Sequence, residues 1–135
     1  MIGRDITKEC RQTKEMLVKT WQLTLNEIAK ISYAAAEKRQ ENGANISVKT
    51  RDMLKHCATE VVEAMEAYSV YACFQDDKDL IQDVCCFKDR FASELADIIC
   101  CCAIIAHGES INLNKAVADC LEKNRKRAEG VGDKK

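Results

Sequence analysis

The sequence predicts an all-α protein, a bundle of four to five helices in one domain. Three observations carry this expectation. The 135 residues contain no proline and only five glycines, so the usual breakers and hairpin residues are scarce. Apolar residues recur at spacings of three and four along several long stretches. Aromatic residues make up only 5% of the chain, which leaves aliphatic side chains, alanine and cysteine to build the core.

The elements follow in order. Residues 1–20 read as a leading helical extension, and residues 21–129 as the main helical domain. Leu17, Trp21, Leu25, Ile28 and Ser32 form a helical stripe that continues to about Glu41. The run Glu41-Asn42-Gly43-Ala44-Asn45 breaks it, with Gly43 suited to a left-handed capping position. Ser47 is a natural N-cap for a second helix reaching about Ala72. Its apolar side would include Met53, Leu54, Cys57, Val61, Val62, Met65 and Tyr68. Gln75 to Asp79 is a polar connection, and Leu80 to Cys86 reads as a separate turn or two. A third long helix is expected from Phe87 or Asp89 to Ala106, stopped at Gly108. Its all-apolar stretch Ile98 to Ala106 is the candidate for the most buried segment. Asn112 or Asn114 would cap a last helix from Lys115 to about Arg127, and 130–135 reads as a disordered tail.

Charge and cysteine content narrow the function. Twenty-one basic residues against twenty-two acidic give a net charge of −1, without the basic excess of a nucleic-acid binder. The first residues carry charges where a secretion signal needs an apolar run. The longest apolar run is nine residues against the roughly 20 of a membrane span, so a soluble, cytoplasmic protein is expected. Nine cysteines in singles, a pair and a triplet do not make a disulfide framework, and no Cys-x-x-Cys pair offers a zinc site. Cys100, Cys101 and Cys102 would point three ways around a helix, as small apolar residues in a reducing compartment.

The chemistry-bearing residues are acidic. Glu94 and Asp97 are the only charges between Phe91 and His107, on a helix apolar nearly all round. Carboxylates there are costly unless paired, hydrogen-bonded or metal-bound, although an N-terminal position on the helix also favours them. Glu60 and Glu63 repeat the i, i+3 spacing on the second helix. Read alone they form a solvated face pointing away from Val61, Val62 and Met65. Side by side, the two helices would gather four carboxylates, whose repulsion calls for divalent cations. All-oxygen ligands suit magnesium or manganese, and magnesium bridges naturally to phosphates.

At these residues the chain resembles the MazG-like nucleotide pyrophosphohydrolases, marked by Glu-x-x-Glu followed by Glu-x-x-Asp. Here the pattern is Glu60-Val-Val-Glu63, thirty residues, then Glu94-Leu-Ala-Asp97. The flanks Glu63-Ala64-Met65-Glu66-Ala67 and Phe91-Ala-Ser-Glu94-Leu95 are similar too, as are Ile111 to Val117 and Lys123-Asn124-Arg125-Lys126-Arg127. The spacer is slightly long, and Cys120 stands where many relatives have lysine.

The resemblance implies an all-α pyrophosphatase domain over about Leu25 to Gly130. Glu60, Glu63, Glu94 and Asp97 would hold magnesium and serve catalysis. Asn124 and Arg127 would contact substrate phosphate. A nucleoside triphosphate would be cut between its α and β phosphates, giving a monophosphate and pyrophosphate. A homodimer or homotetramer is implied, with neither nucleic acid nor membrane as partner. The competing reading is a non-catalytic helical oligomerisation or interaction module on the same fold. A di-iron bundle is disfavoured, since neither His56 nor His107 follows a Glu-x-x-His pattern. Trp21, Tyr33, Tyr68, Phe74 and Phe87 could stack on a base, but each fits a core role as well.

Overall fold

A computed structural model describes residues 22–75 and 81–130, with side chains from Cys85 onward in the second span. The described residues are all helical apart from turns and short connections: α1 (Leu25–Glu41), α2 (Thr50–Phe74), α3 (Ile81–Gly108) and α4 (Leu113–Ala128). The expected leading segment 1–20, with Leu17, and Trp21 and the tail past Gly130 lie outside the described residues.

Local chemistry sets most boundaries. Thr24 opens α1 with a capping box: the Glu27 amide donates to Thr24 Oγ1 at 3.2 Å, and the Thr24 amide donates to Glu27 Oε2 at 2.7 Å. The helix closes at Gly43, whose φ of 86° is left-handed as expected. The amides of Gly43 and Ala44 donate back to the carbonyls of Gln40 and Arg39, a Schellman motif. Asn112 caps α4 by accepting from the Lys115 amide at 3.1 Å.

Three boundaries differ from expectation. Ser47 does not cap α2; the N-cap is Lys49, with no side-chain bond, and the Ser47 hydroxyl instead accepts from the Lys49 amide and donates to Asp52. The segment from Ile81 to Cys86 is not separate but forms the first turns of α3. No breaker interrupts it, and Phe87 and Phe91 pin the start of α3 to α2 through Phe74, Tyr68 and Tyr71. At the far end the left-handed residue is Ser110, with a φ of 55°, rather than Gly108. The amides of Ser110 and Ile111 reach the carbonyls of His107 and Ala106, so a second Schellman motif closes on serine. Gly108 serves a different need: a Cβ there would sit 3.3 Å from the Tyr33 ring.

α3 is the central helix. It packs along α2 and against α1, while α4 touches α1. The α2–α3 pair is antiparallel, since Phe74 meets Phe87, Tyr71 and Tyr68 meet Phe91, and Glu60 meets Asp97. Ala36, Met53, Cys101 and Ile104 form the core, with Tyr33, Ile46, Val48, Cys57 and Ile105 packed against it. Among the described residues Met53 is the largest side chain fully buried, and alanines fill much of the rest of the core.

Asn26 fastens α4 to α1. Its Oδ1 accepts from the Leu113 amide at 2.8 Å and the Asn114 amide at 3.3 Å, and its Nδ2 donates to Asn112 Oδ1 at 2.9 Å. Asn114 Oδ1 returns the contact by accepting from the Asn26 amide at 3.1 Å. One asparagine therefore satisfies the first orphan amides of a helix 86 to 88 residues away.

One stretch among the described residues, Cys85–Gly108, is long and apolar enough by length and composition to cross a membrane. The central helix of a bundle passes the same test. Asp97 lies at the middle of this stretch, where insertion of an acid would cost about 2.5–3.5 kcal/mol.

Candidate metal centre

The largest departure from the sequence reading lies on α2. Read on α2 alone, Glu60 falls on a solvated face, whereas the four-acid pattern puts it in a shared cleft; it is only 9% exposed and is the one buried charged residue among those described. Val61, Val62 and Met65, expected inside, are exposed; Met65 keeps 64% of its surface. The reason is that α2 carries two apolar stripes. Met53, Cys57, Glu60, Ala64 and Ala67 lie along one line of the helix and face inward. Leu54, Ala58, Val61, Met65, Tyr68 and Ala72 lie along another, about 100° away at a helical step of about 100° per residue. The small residues take the inside and the large ones the outside. Glu63 is exposed, as the sequence reading has it.

Across from Glu60, α3 presents Glu94 and Asp97. One ligand atom from each of Glu60, Glu94 and Asp97 lies within 4.8 Å of the others. Glu60 Oε1 pairs with His56 Nε2 at 3.1 Å, one turn earlier on α2. Glu60 Oε2 and Glu94 Oε2 are buried without a hydrogen-bond partner. Burial raises the Glu60 carboxyl above its ordinary pKa, the charges of Glu63 and Asp97 push it further, and His56 opposes them. Glu63 is not among the three acids whose ligand atoms converge; it acts on Glu60 through its charge from one turn along α2.

These features fit a hard divalent cation. The donors are all oxygens, as magnesium and manganese prefer. Buried oxygens without partners are rare in folded chains, because each costs about 1–3 kcal/mol. A cation between α2 and α3 would satisfy both and remove the repulsion.

Glu60 and Asp97 also line a cavity of about 450 Å³ between α1, α2 and α3. Its α1 wall carries Ser32, Ala35, Ala36 and Arg39. None of the aromatic candidates among the described residues lines it. Tyr33 packs on His107, and Tyr68, Phe74 and Phe87 belong to the aromatic cluster at the other end of the α2–α3 pair. Asn124 and Arg127 sit on the last turns of α4, away from this cavity, and Asn124 Nδ2 donates to Cys120 Sγ at 3.9 Å.

The cysteine triplet spreads around α3 as expected, with Cys101 buried, Cys100 half-buried and Cys102 exposed. Burial pushes the Cys101 thiol up to about 12, which keeps it protonated and unreactive. Arg39 was not singled out from sequence, because only the packing of α1 on α3 brings it in; His56, weighed there only as a di-iron ligand, shares the face of Glu60 one turn earlier. No family model matches the sequence, and no curated protein or solved structure matches it significantly.

Proposed function

We propose that this protein is a magnesium-dependent nucleoside triphosphate pyrophosphohydrolase of MazG-like type. The observation that carries the reading is the pair of buried, unpartnered carboxylate oxygens on Glu60 and Glu94, converging with Asp97 beside a cavity. The order Glu60, Glu63, Glu94, Asp97 is also the order of the family pattern.

Magnesium bound there would neutralise phosphate charge and lower the pKa of a water. Glu60, Glu94 and Asp97 would hold the ions, with Glu63 beside them at the solvent edge. A carboxylate oxygen of this cluster takes the proton of the attacking water. The water attacks the α-phosphorus, pyrophosphate leaves, and a nucleoside monophosphate remains. In this reading Asn124 and Arg127 contact phosphate only if α4 of another copy, or a shift of α4, brings them near.

The working form is a homodimer or a tetramer built from it. Leu54, Val61, Val62, Met65 and Tyr68 of α2 and Leu95 and Ile99 of α3 are large apolar side chains with 41–64% of their surface exposed. Together they expose on the order of 600 Å², close to the roughly 800 Å² per partner of a standard interface. A second copy of the same face is the occupant that covers them. The reading carries a cytoplasmic location, where nucleoside triphosphates are abundant and thiols stay reduced.

The test is a panel of canonical and modified nucleoside triphosphates, with and without magnesium, reading pyrophosphate, monophosphate and single phosphate separately. Magnesium-dependent pyrophosphate release is expected. Release of single phosphate would overturn the α–β assignment, and silence across the panel would favour the non-catalytic module. Sedimentation of the wild type and of Met65→Glu tests the interface: a dimer or tetramer should give way to monomer.

A further inference from the structure

We propose that Arg39 binds phosphoryl oxygens of the substrate from the α1 wall of the cavity. This rests on the pyrophosphohydrolase reading and adds a residue that the acidic pattern does not contain.

Arg39 lies on the same face of α1 as Ser32, Ala35 and Ala36, and all four line the cavity that Glu60 and Asp97 line from α2 and α3. Its backbone is fixed, because its carbonyl accepts the Ala44 amide at 3.0 Å in the motif that closes the helix. Its guanidinium makes no ion pair or hydrogen bond among the described residues, although two carboxylates share its cavity. The neighbouring alanines leave space beside it. An arginine held at an acid-lined cavity, yet unpaired with the acids, is available to a third group.

Charge arithmetic identifies that group. Glu60, Glu94 and Asp97 carry three negative charges when ionised, and a nucleoside triphosphate adds about four near neutral pH. Two divalent cations return four positive charges, leaving an excess of about three negative. A fixed cation facing phosphate oxygens that the metals leave uncovered reduces this excess. Arginine suits the position because its planar fork meets two phosphate oxygens at once.

A simpler role would be compensation of the α1 dipole, since Arg39 stands in the last turn. Lys38 provides the control. It occupies the same last turn but does not line the cavity.

The experiment measures binding of an α,β-imido nucleoside triphosphate in magnesium by calorimetry, for wild type, Arg39→Gln, Arg39→Lys and Lys38→Gln. Magnesium-induced thermal shifts are recorded alongside. Arg39→Gln should lose about 10- to 100-fold in affinity, the usual range for a charge-assisted contact. Arg39→Lys should recover part of it, Lys38→Gln should match wild type, and all four should keep the magnesium shift. Equal affinity of Arg39→Gln and wild type would overturn the role of Arg39 alone. So would equal losses in Arg39→Gln and Lys38→Gln. A wild type that shifts with magnesium but binds no analogue would overturn the pyrophosphohydrolase reading itself.

Discussion

Replacing Glu60 by glutamine should stabilise the metal-free protein and abolish its response to magnesium. Glu60 is about nine-tenths buried, and its Oε2 has no partner. Burial, then Glu63 and Asp97, hold its pKa above the ordinary value. An acid with a raised folded-state pKa binds its proton more tightly in the native state than in the unfolded one. Its contribution is therefore present at low pH and lost as pH rises from the usual glutamate range through the raised value. At pH values above the raised pKa the metal-free protein bears the whole penalty. Glutamine is neutral at every pH and can donate to Glu94 or Asp97. Relieving one unpartnered buried oxygen is worth about 1–3 kcal/mol, and the half-exposed His56 pair given up returns at most about 1 kcal/mol. The net gain of roughly 1–2 kcal/mol corresponds to a Tm rise of about 3–9 °C for a domain of this size. Magnesium at a hundredfold excess over Kd should raise the wild-type protein by about 2.7 kcal/mol and leave the variant nearly unmoved. Thermal melts in chelator and in magnesium, at pH 7.5 and at pH 4.5, test this. In chelator the variant should lead at pH 7.5 and lose its lead at pH 4.5. A Tm lowered by the substitution in chelator at pH 7.5, or an equal magnesium shift in both proteins, would refute the reasoning.

Other substitutions probe separate parts of the argument. The double variant Glu63→Gln with Asp97→Asn should abolish magnesium-dependent pyrophosphate release while keeping the helical circular dichroism signal; retained turnover would remove both acids from the site. Asn26→Ala deletes the side-chain bonds to the α4 N-terminus and should cost about 1–3 kcal/mol. Hydrogen exchange should show the loss first in residues 113–128, and protection there equal to wild type would mean that other contacts hold α4. Ser110→Gly relieves a left-handed non-glycine residue and should raise stability by up to about 1 kcal/mol, read as a Tm rise of a few degrees.

Much of the fold is legible because its signals are local. Missing prolines, the 3–4 periodicity, Gly43 and Asn112 each act within one or two turns, and each marks an element where it lies. Ser110 is legible only afterwards, because the nearby glycine invites the capping role that the chain gives to serine; Gly108 is needed instead where α3 meets Tyr33. The acidic cluster was legible as a pattern, since i, i+3 spacing survives any packing arrangement. Its orientation was not. On α2 the apolar residues span two stripes, and bulk alone points to the stripe with Val61 and Met65 as the inner one. The choice depends on how closely α2 approaches α3, which favours the alanine stripe. Arg39 is illegible for a related reason: nothing in α1 distinguishes it from Lys38 until α1 is laid on α3.

The inverted α2 links the two halves of the proposal. A close α2–α3 approach requires small residues such as Ala64, Ala67 and Ala103 between the helices, and these are among the most buried in the protein. That approach is also what brings ligand atoms of Glu60, Glu94 and Asp97 within 4.8 Å of one another. Larger residues inside would separate the helices and open the cluster. The large apolar side chains are thereby displaced to the outer stripe, and among the described residues only Met53 is both large and fully buried. A core of alanines buries little area per residue, and the cluster adds unpartnered oxygens. Cover for Val61, Val62 and Met65 by a second copy would supply apolar burial that the metal-binding geometry denies to the monomer. Stability should accordingly depend on protein concentration and on magnesium at once. Met65→Glu should make the melting temperature independent of protein concentration, and a wild type whose Tm ignores concentration across a hundredfold range would break this link.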